Sequence, residues 1–212
     1  MNHLAILGAS GHGKVIADCA ESAGWLAIDF YDDAWPLYNK SSAWSVIGDT
    51  QVLIANLGNY DGVIVAIGNN VIRLEKQLEL VSYNAPLVNI IHPSAQISRY
   101  VELGSGCVIM PGVIINVDSK LGNACIVNTG ASIDHDCLLG DAVHICPGVH
   151  LAGGVNIGDY SWIGIGANII QLIKIGPSSI IGAGSVVIKN IKGHCTVAGV
   201  PARLIDSPKQ KK

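Results

Sequence analysis

An aliphatic residue returns at every sixth position from Ile91 to Val187, and this period restricts the possible folds more than any other feature of the chain. The series has seventeen members: Ile91, Ile97, Leu103, Ile109, Ile115, Leu121, Val127, Ile133, Leu139, Ile145, Leu151, Ile157, Ile163, Ile169, Ile175, Ile181 and Val187. A period of six cannot stay on one face of a helix that turns every 3.6 residues. A small or aliphatic residue also recurs two positions before each later member, which is the spacing of side chains on one face of a strand. Each hexad is therefore expected to form one short strand and a corner, as in a parallel β-helix.

Three hexads make one three-sided coil of 18 residues, so the repeat predicts between five and six coils, about 25 Å tall at the usual strand spacing. Glycine and asparagine are concentrated at the predicted corners, for example at Gly122 and Gly140, where a positive φ is expected. Cys107, Cys125 and Cys137 fall at the small inward position. We expect these three cysteines to fill the core and not to bind metal or act as nucleophiles.

The chain before the repeat has the pattern of alternating strands and helices. Apolar strands are predicted at residues 3–8, 26–31 and 61–68, and a helix with apolar residues at helical spacing is predicted to end at Gly24. A further helix is expected to be capped by Asn70. Its inward stripe is predicted to consist of Val71, Leu74, Leu78 and Val81.

This pattern predicts a mixed fold. A small Rossmann-like α/β domain with a parallel sheet is expected over residues 1–85, because strands alternate with helices there. The hexapeptide β-helix is expected over residues 86–205, and a flexible tail over residues 206–212. In an open α/β sheet, ligands bind at the carboxyl ends of the strands.

The composition excludes several classes of protein. A net charge of −3 and an isoelectric point near 6.1 provide no basic surface for nucleic-acid phosphates. The mean hydropathy of +0.43 is high, but no stretch reaches the roughly 18 to 20 uninterrupted apolar residues of a spanning helix. The first apolar run is also too short for a secretory signal. We therefore expect a cytoplasmic protein without a membrane span, whose six cysteines are reduced thiols.

Three predicted strand ends carry glycine or polar residues that suit a ligand site. They are Ser10, Gly11 and His12, then Asp32 and Asp33, then Gly68, Asn69 and Asn70. The first loop, GASGHG, has its glycines in the order G-x-x-G-x-G and not in the dinucleotide order G-x-G-x-x-G. A loop that presents backbone N–H groups to a phosphate fits this pattern. A tight strand-to-helix turn without a ligand remains the alternative.

The combination of a GASGHG lobe, an IGNN strand end, a hexapeptide β-helix with the dipeptide His135-Asp136, and the closing segment GVPARLI resembles the PglD/NeuD-type sugar acyltransferases. The resemblance covers nearly the whole chain, and the bacillosamine-pathway branch is the most similar. It implies a left-handed β-helix and a homotrimer with acetyl-CoA between neighbouring prisms. It also implies acetyl transfer to a UDP-linked 4-amino-4,6-dideoxy sugar, for the synthesis of surface-glycan or glycoprotein sugars.

The resemblance also implies roles for particular residues. His135 would remove the proton of the sugar amine, and Asp136 would raise the basicity of His135. Two departures from the bacillosamine pattern are Asp136, where a longer Glu is usual, and Ala183, where Gly is usual. The nucleotide sugar would be held by Ser10, Gly11, His12, Asp32, Asp33, Gly68 and Asn69, and acetyl-CoA would contact His144, Ile165 and Ala183.

The hexad register gives an independent argument about the site. It places His135 at the corner between the strands that end at Ile133 and Leu139, and it places His144 on the opposite face. Two side chains on opposite sides of a filled prism cannot meet within one subunit, so a site that uses both must lie between subunits. One coil above His135, Gly153 is predicted to expose a backbone N–H that stabilises the oxygen of the reacting carbonyl.

Three other functions are open at this point. A sialic acid O-acetyltransferase would share the fold and family, and a sugar-binding scaffold would lack the chemistry altogether. A zinc enzyme of the γ-carbonic anhydrase type would need three histidines around one metal. His135, His144 and His150 lie at a corner and on two different faces, so no metal cofactor is expected.

Overall fold

The computed structural model describes residues 2–205, and the predicted tail over residues 206–212 lies outside the described residues. The α/β lobe contains one sheet in the order β3-β4-β2-β1-β5, in which β3 is antiparallel to β4 and the other pairs are parallel. Its strands are β1 His3–Leu7, β2 Ala27–Tyr31, β3 Lys40–Ser41, β4 Trp44–Gly48 and β5 Gly62–Val65. Its helices are α1 Gly11–Ser22, α2 Thr50–Ala55 and α3 Asn70–Ser82, with one 3-10 turn at Leu57–Asn59.

The turn from β1 into α1 is tight because its glycines approach other backbone segments. Gly8 has a φ of 110°, and a Cβ on it would lie 2.9 Å from the carbonyl oxygen of Ala66. Helix α1 then packs Ile16, Ala17 and Ala20 against the sheet, where all three are fully buried. The short turn therefore sets the start of α1 directly at the carboxyl end of β1.

The rest of the chain forms the predicted β-helix. Its strands each contain two residues, and the second residue of each strand is a member of the hexad series. The seventeen strands are β6 Ile90–Ile91, β7 Gln96–Ile97, β8 Glu102–Leu103, β9 Val108–Ile109, β10 Ile114–Ile115, β11 Lys120–Leu121, β12 Ile126–Val127, β13 Ser132–Ile133, β14 Leu138–Leu139, β15 His144–Ile145, β16 His150–Leu151, β17 Asn156–Ile157, β18 Trp162–Ile163, β19 Asn168–Ile169, β20 Lys174–Ile175, β21 Ile180–Ile181 and β22 Val186–Val187.

Strands one coil apart pair in parallel with a register of 18 residues, as Ile114 with Ser132 shows. The first face contains β6, β9, β12, β15, β18 and β21, the second face runs from β7 to β22, and the third face runs from β8 to β20. Two short strands, β23 Thr196–Ala198 and β24 Arg203–Leu204, extend the first face, and β24 is antiparallel. None of the helices within residues 2–205 is long and apolar enough to cross a membrane.

The inward positions of the prism are buried as predicted. Cys107, Cys125 and Cys137 are fully buried, and each thiol donates a hydrogen bond to a backbone carbonyl on a neighbouring coil. All six cysteines of the chain are free thiols. The prediction that these three residues fill the core is confirmed.

The predicted role of the corner glycines is wrong. Gly122 and Gly140 do not have a positive φ, and the left-handed residues of the corners lie elsewhere, for example at Gly130 and Asp136. Glycine is needed at position 122 because a Cβ there would lie 2.7 Å from the backbone carbon of Gly140 in the next coil. Close stacking of successive coils therefore selects these glycines.

The predicted inward face of α3 is also wrong. Its N-cap is Asn69, and of the four predicted stripe residues only Leu74 is buried, whereas Val71, Leu78 and Val81 are about half exposed. The buried face instead contains Asn70, Arg73 and Gln77, which donate hydrogen bonds to corners of the β-helix. A polar face packs here because the corners present backbone carbonyls, and within residues 2–205 those of Tyr160 and Ala124 have no backbone donor of their own.

The lobe covers the lower coils of the first face. The outward residues Ile90, Val108, Ile126 and His144 are buried, whereas Trp162 and Ile180 in the next two coils are exposed. The segment that joins the two parts still belongs to the lobe at Leu87, which pairs with Val63. The lobe is thus packed directly against the face that carries His144.

Candidate active site

His135 lies at the corner between the second and third faces, in the turn that joins β13 to β14. Its Nδ1 is 2.6 Å from Oδ2 of Asp136, and its ring is exposed. The hydrogen bond to Asp136 and the nearby charge of Asp134 raise the pKa of His135 above its usual value. With Nδ1 bound by a carboxylate, Nε2 is left as the proton acceptor.

Asp134 supports the same corner from the other side. Its Oδ1 accepts hydrogen bonds from the backbone N–H of His135 at 2.9 Å and from Nδ2 of Asn116 at 3.0 Å. These two bonds lower the pKa of the Asp134 carboxyl group. His135 is therefore flanked by two carboxylates, of which only Asp136 bonds the ring.

Gly153 lies directly above His135 in the next coil. A Cβ at this position would be 2.6 Å from both Cε1 and Nε2 of His135, so the ring occupies the space that a side chain would need. Within residues 2–205 the N–H of Gly153 has no hydrogen-bond acceptor. The two residues line an open pocket of about 640 Å³ together with Gln171 and Leu172. The pocket thus combines a free imidazole nitrogen with a free backbone donor.

A second cavity lies on the first face and contains the three residues that the resemblance assigns to acetyl-CoA. His144, Ile165 and Ala183 all line this groove of about 360 Å³, hereafter the donor groove. Its remaining lining is mostly apolar. The His144 ring packs against Trp162, with 4.2 Å between the ring centroids. The groove shares no lining residue with the His135 pocket, so the two cavities are separate within one chain.

His144 points out of the prism, as the register predicts, but the lobe covers it so that only 5% of it is exposed. Its ring centroid is 6.3 Å from that of His12 at the start of α1. Burial, and then the charge of Arg73, lower the pKa of His144 to about 3 and that of His12 to about 4. Both rings are therefore neutral near pH 7. In residues 2–205, neither ring nitrogen of His144 has a hydrogen-bond partner, nor does Nε2 of His12.

The residues assigned to the nucleotide sugar lie at the carboxyl ends of β1, β2 and β5. Ser10 and Gly11 are exposed at the start of α1, and the hydroxyl of Ser10 makes no capping hydrogen bond. Asp32 braces this loop, because its Oδ2 accepts a hydrogen bond from the N–H of Ala9 at 2.9 Å. The three strand ends thus lie at one edge of the sheet, and the exposed loop at Ser10 and Gly11 begins α1 there.

Asp33 is held by groups of its own lobe. Its carboxylate accepts hydrogen bonds from the N–H and the hydroxyl of Thr50, and it forms an ion pair with Lys76 at 3.0 Å. Partial burial alone would raise the pKa of Asp33, but the hydrogen bonds from Thr50 and Lys76 together outweigh it and lower the pKa. The carboxylate still remains about half exposed toward solvent.

Gly68 and Asn69 connect the lobe with the donor groove. The side chain of Asn69 accepts hydrogen bonds from the first turn of α3, which leaves its amide N–H groups outward. Both residues line a groove of about 480 Å³ with Trp162 and Ile180. Trp162 and Ile180 also line the groove that contains His144, so the two cavities are adjacent.

Sequence reasoning missed two residues at this junction. Trp162 lies 18 residues after His144, so the hexad register already places it next to His144 on the same face. Arg73 gave no such signal, because α3 was interpreted from its apolar residues.

No cluster of three or more His, Cys, Asp or Glu residues that could hold a metal ion occurs within residues 2–205.

Comparisons with known proteins point to the same group of proteins, the sugar N-acetyltransferases. The family model of the PglD N-terminal domain matches residues 3–80. The UDP-N-acetylbacillosamine N-acetyltransferase of Bacillus subtilis is 37% identical over 117 residues, which is 52% of this chain and 52% of that protein. The matched region thus spans about half the length of this curated relative.

Several solved structures match over almost the full length of the chain, including the following two. A mutant of perosamine N-acetyltransferase from Caulobacter crescentus, in complex with CoA and GDP-perosamine, has a TM-score of 0.92 and 35% identity, with 98% of each chain covered. The acetyltransferase domain of PglB from Neisseria gonorrhoeae, in complex with acetyl coenzyme A, has a TM-score of 0.92 and 38% identity, with 96% of this chain and 99% of that chain covered. From this full-length similarity and from the lobe, the hexad series and the His135 corner, the chain belongs to the PglD/NeuD-type sugar acetyltransferases of the hexapeptide-repeat superfamily.

Proposed function

We propose that the chain transfers the acetyl group of acetyl-CoA to the 4-amino group of a UDP-linked amino-dideoxy sugar. The observation that carries the proposal is the pair of His135 and Asp136, 2.6 Å apart, with the second nitrogen of the ring facing an open pocket above Gly153. An amine that attacks a thioester must lose a proton, and a histidine oriented by a carboxylate accepts it near neutral pH.

The residues of the corner have separate tasks in this reaction. His135 accepts the amine proton while the new C–N bond forms, and Asp136 stabilises the resulting imidazolium. The N–H of Gly153 stabilises the negative charge that develops on the carbonyl oxygen. When the C–S bond breaks, His135 returns the proton to the leaving thiolate, so that the amide and free CoA are the products.

The two grooves suit the two substrates. The apolar groove with His144, Ile165 and Ala183 fits the pantetheine part of acetyl-CoA, and the strand ends with Ser10 and Gly11 fit the phosphates of a nucleotide sugar. The grooves adjoin at Trp162 and Ile180, and this supports the assignment because both substrates must meet. Solved relatives with CoA and GDP-perosamine or with acetyl coenzyme A bound support the same two ligand classes.

The proposal includes a homotrimer with the reaction between subunits. The His135 pocket and the donor groove lie on opposite sides of the prism and share no residue, so a neighbour must supply one of them. Leu138 on the third face and Ile114 on the second face expose apolar side chains that such a contact would cover. A role in the synthesis of surface-glycan or glycoprotein sugars belongs to the same proposal.

The test measures the release of CoA thiol from acetyl-CoA with UDP- and GDP-linked amino sugars, together with the mass of the sugar product. We expect one acetyl group on the amine of a UDP-linked sugar, and a loss of turnover in His135→Asn. The matched control is His194→Asn, because His194 is also an exposed histidine but does not line the His135 pocket. Turnover of GDP-linked sugars alone would correct the nucleotide, and unchanged turnover in His135→Asn would exclude His135 as the base.

A further inference from the structure

Arg73 is a buried guanidinium at the junction of the lobe and the β-helix. It is only 1% exposed, although charged side chains are seldom buried without a charged partner. Its five hydrogen bonds go to the carbonyl oxygens of Ala124 (2.8 Å), Ile67 (3.0 Å), Gly68 (3.2 Å) and Ala142 (3.0 Å) and to Oδ1 of Asn70 (2.9 Å). A guanidinium has five N–H donors. Its hydrogen-bonding capacity is therefore used entirely on neutral oxygens.

These acceptors belong to two parts of the proposed site. Ile67 and Gly68 form the carboxyl end of β5, where the nucleotide sugar is proposed to bind. Ala124 and Ala142 lie in successive corners of the β-helix, and Ala142 is followed by the strand of His144. A single side chain thus joins the lobe edge to the coil that carries His144.

Neutral acceptors leave the charge of Arg73 uncompensated, and its effect reaches the two buried histidines. Burial lowers the pKa values of His12 and His144, and the charge of Arg73 lowers both further. His12 also lowers the pKa of His144. Burial lowers the pKa of Arg73 itself by more than the buried thiols of Cys125 and Cys107 raise it. A junction needed only for cohesion would be more stable with apolar residues, because burying an uncompensated charge destabilises a fold.

We propose that Arg73 is a positioning residue for acetyl transfer, which holds the Gly68 strand end and the His144 strand at one separation so that the sugar nucleotide and the acyl donor meet in register. This inference rests on the proposed function. Arg73 also bonds the carbonyl of Ala142, two residues before His144, whose ring lies 6.3 Å from that of His12, so its charge further disfavours protonation of these two buried histidines.

Two variants separate the geometry from the charge. Arg73→Lys keeps the positive charge but offers three donors on a flexible stem and cannot span five acceptors. Arg73→Met removes both the charge and the donors. The matched control is Gln77→Met, one turn further along the same buried face, where Gln77 donates a single hydrogen bond to the carbonyl of Ser105 at 2.9 Å.

The first measurement is steady-state kinetics. We expect both Arg73 variants to raise the KM for the sugar nucleotide about tenfold, because a misplaced strand end weakens productive binding. The KM for acetyl-CoA should stay within about twofold, since Ile165 and Ala183 lie on coils that Arg73 does not touch. Gln77→Met should leave both values unchanged. If all three variants instead lose only part of their folded, active enzyme and keep both KM values, Arg73 serves only to hold the lobe against the β-helix.

The second measurement needs no substrate and follows the ring resonances of His12 and His144 by NMR during a pH titration. In Arg73→Met both rings should titrate at a higher pH than in the wild type, though below 6.5 because burial remains. In Arg73→Lys they should titrate as in the wild type. Unmoved titrations in Arg73→Met would overturn the role of the charge. Absence of turnover in the wild type would instead overturn the proposed function, whereas the titration, which needs no substrate, would still test the effect of the Arg73 charge.

Discussion

Asp136 holds a left-handed backbone conformation, with a φ of 58°, at the corner that carries His135. Asn and Asp tolerate this conformation better than longer side chains, since their short polar groups can bond locally. The aspartate here, where the bacillosamine branch usually has Glu, therefore suits the backbone and still reaches Nδ1 of His135 at 2.6 Å. The corner and the base are stabilised by the same residue.

Asp136→Asn should change the pH dependence of the reaction without changing the fold. Loss of the carboxylate lowers the pKa of His135, because the hydrogen bond that Asp136 accepts from the ring is the largest cause of its increase. The acid limb of the kcat/KM profile should move to lower pH, and the plateau should fall by about 10²-fold. Asp118→Asn is the control, since Asp118 occupies the same left-handed corner position one coil earlier. An unmoved acid limb would contradict the assignment of His135 as the base.

Gly153→Ala should reduce kcat by about 10²-fold, because the new methyl group displaces the ring of His135 from its productive position. The backbone of Gly153 is outside the left-handed region, so alanine adds no backbone strain. Circular dichroism and kcat together test this. Gly58→Ala, where a Cβ meets no atom within 4 Å, should leave kcat unchanged. Retention of full activity in Gly153→Ala would show that the ring position is not critical.

At the scale of elements, α3 matches the β-helix in spacing. Its pitch of about 5.4 Å is close to the strand spacing of about 4.8 Å, so one turn of α3 passes roughly one coil. Asn70, Arg73 and Gln77 accordingly reach successive corners, down to Ser105. The helix is aligned by hydrogen bonds to corner carbonyls more than by an apolar stripe.

Two leucines of α3 distinguish this packing from the one its apolar pattern predicts. Leu74 is 5% exposed against Ala124 and Ala142, whereas Leu78 is 58% exposed. Leu74→Ala should lower the free energy of unfolding by about 2–3 kcal/mol, and Leu78→Ala by less than about 0.5 kcal/mol. Chemical denaturation measures both. Equal losses would favour the apolar stripe as the packed face.

The β-helix was predictable and the junction was not, for a physical reason. A coil of fixed length repeats the same inward positions, so the hexad series marks each of the seventeen strands. The same register places His135 and His144 on opposite sides of the prism. The buried face of α3 depends instead on which carbonyls the corners direct toward the helix, and the contact of His12 with His144 depends on how the lobe is placed. Neither of these two features produces a repeating pattern in the sequence from which it could be predicted.

At the scale of the whole molecule, the lobe and the β-helix bury two neutral histidines between them. Their folded-state pKa values, about 4 for His12 and about 3 for His144, lie below 6.5. Between pH 6.5 and 4 the unfolded chain therefore binds protons that the folded chain does not bind. The stability contribution of this junction is fully present above pH 6.5 and is lost as the pH falls.

Denaturation at several pH values tests this linkage. The free energy of unfolding should decrease on acidification from pH 6.5 to 4.5, and in His144→Phe the decrease should be smaller by on the order of 1–2 kcal/mol, since one pKa unit corresponds to about 1.4 kcal/mol. His194→Asn, at an exposed site, is the control. An identical slope in His144→Phe and the wild type would show that His144 takes up its proton in the folded state.

The segment that follows β23 has a consequence for self-association. The carbonyl of Gly199 accepts a hydrogen bond from the N–H of Val186, and the N–H of Ala202 donates one to the carbonyl of Val186, while β24 lies antiparallel along β23. The last strands of two faces are thereby covered, although parallel strand edges readily recruit further strands. The strand edges of the final coil are therefore not free to pair with the β-helix of a second molecule. A longer β-helix would have to be designed by inserting coils before this segment.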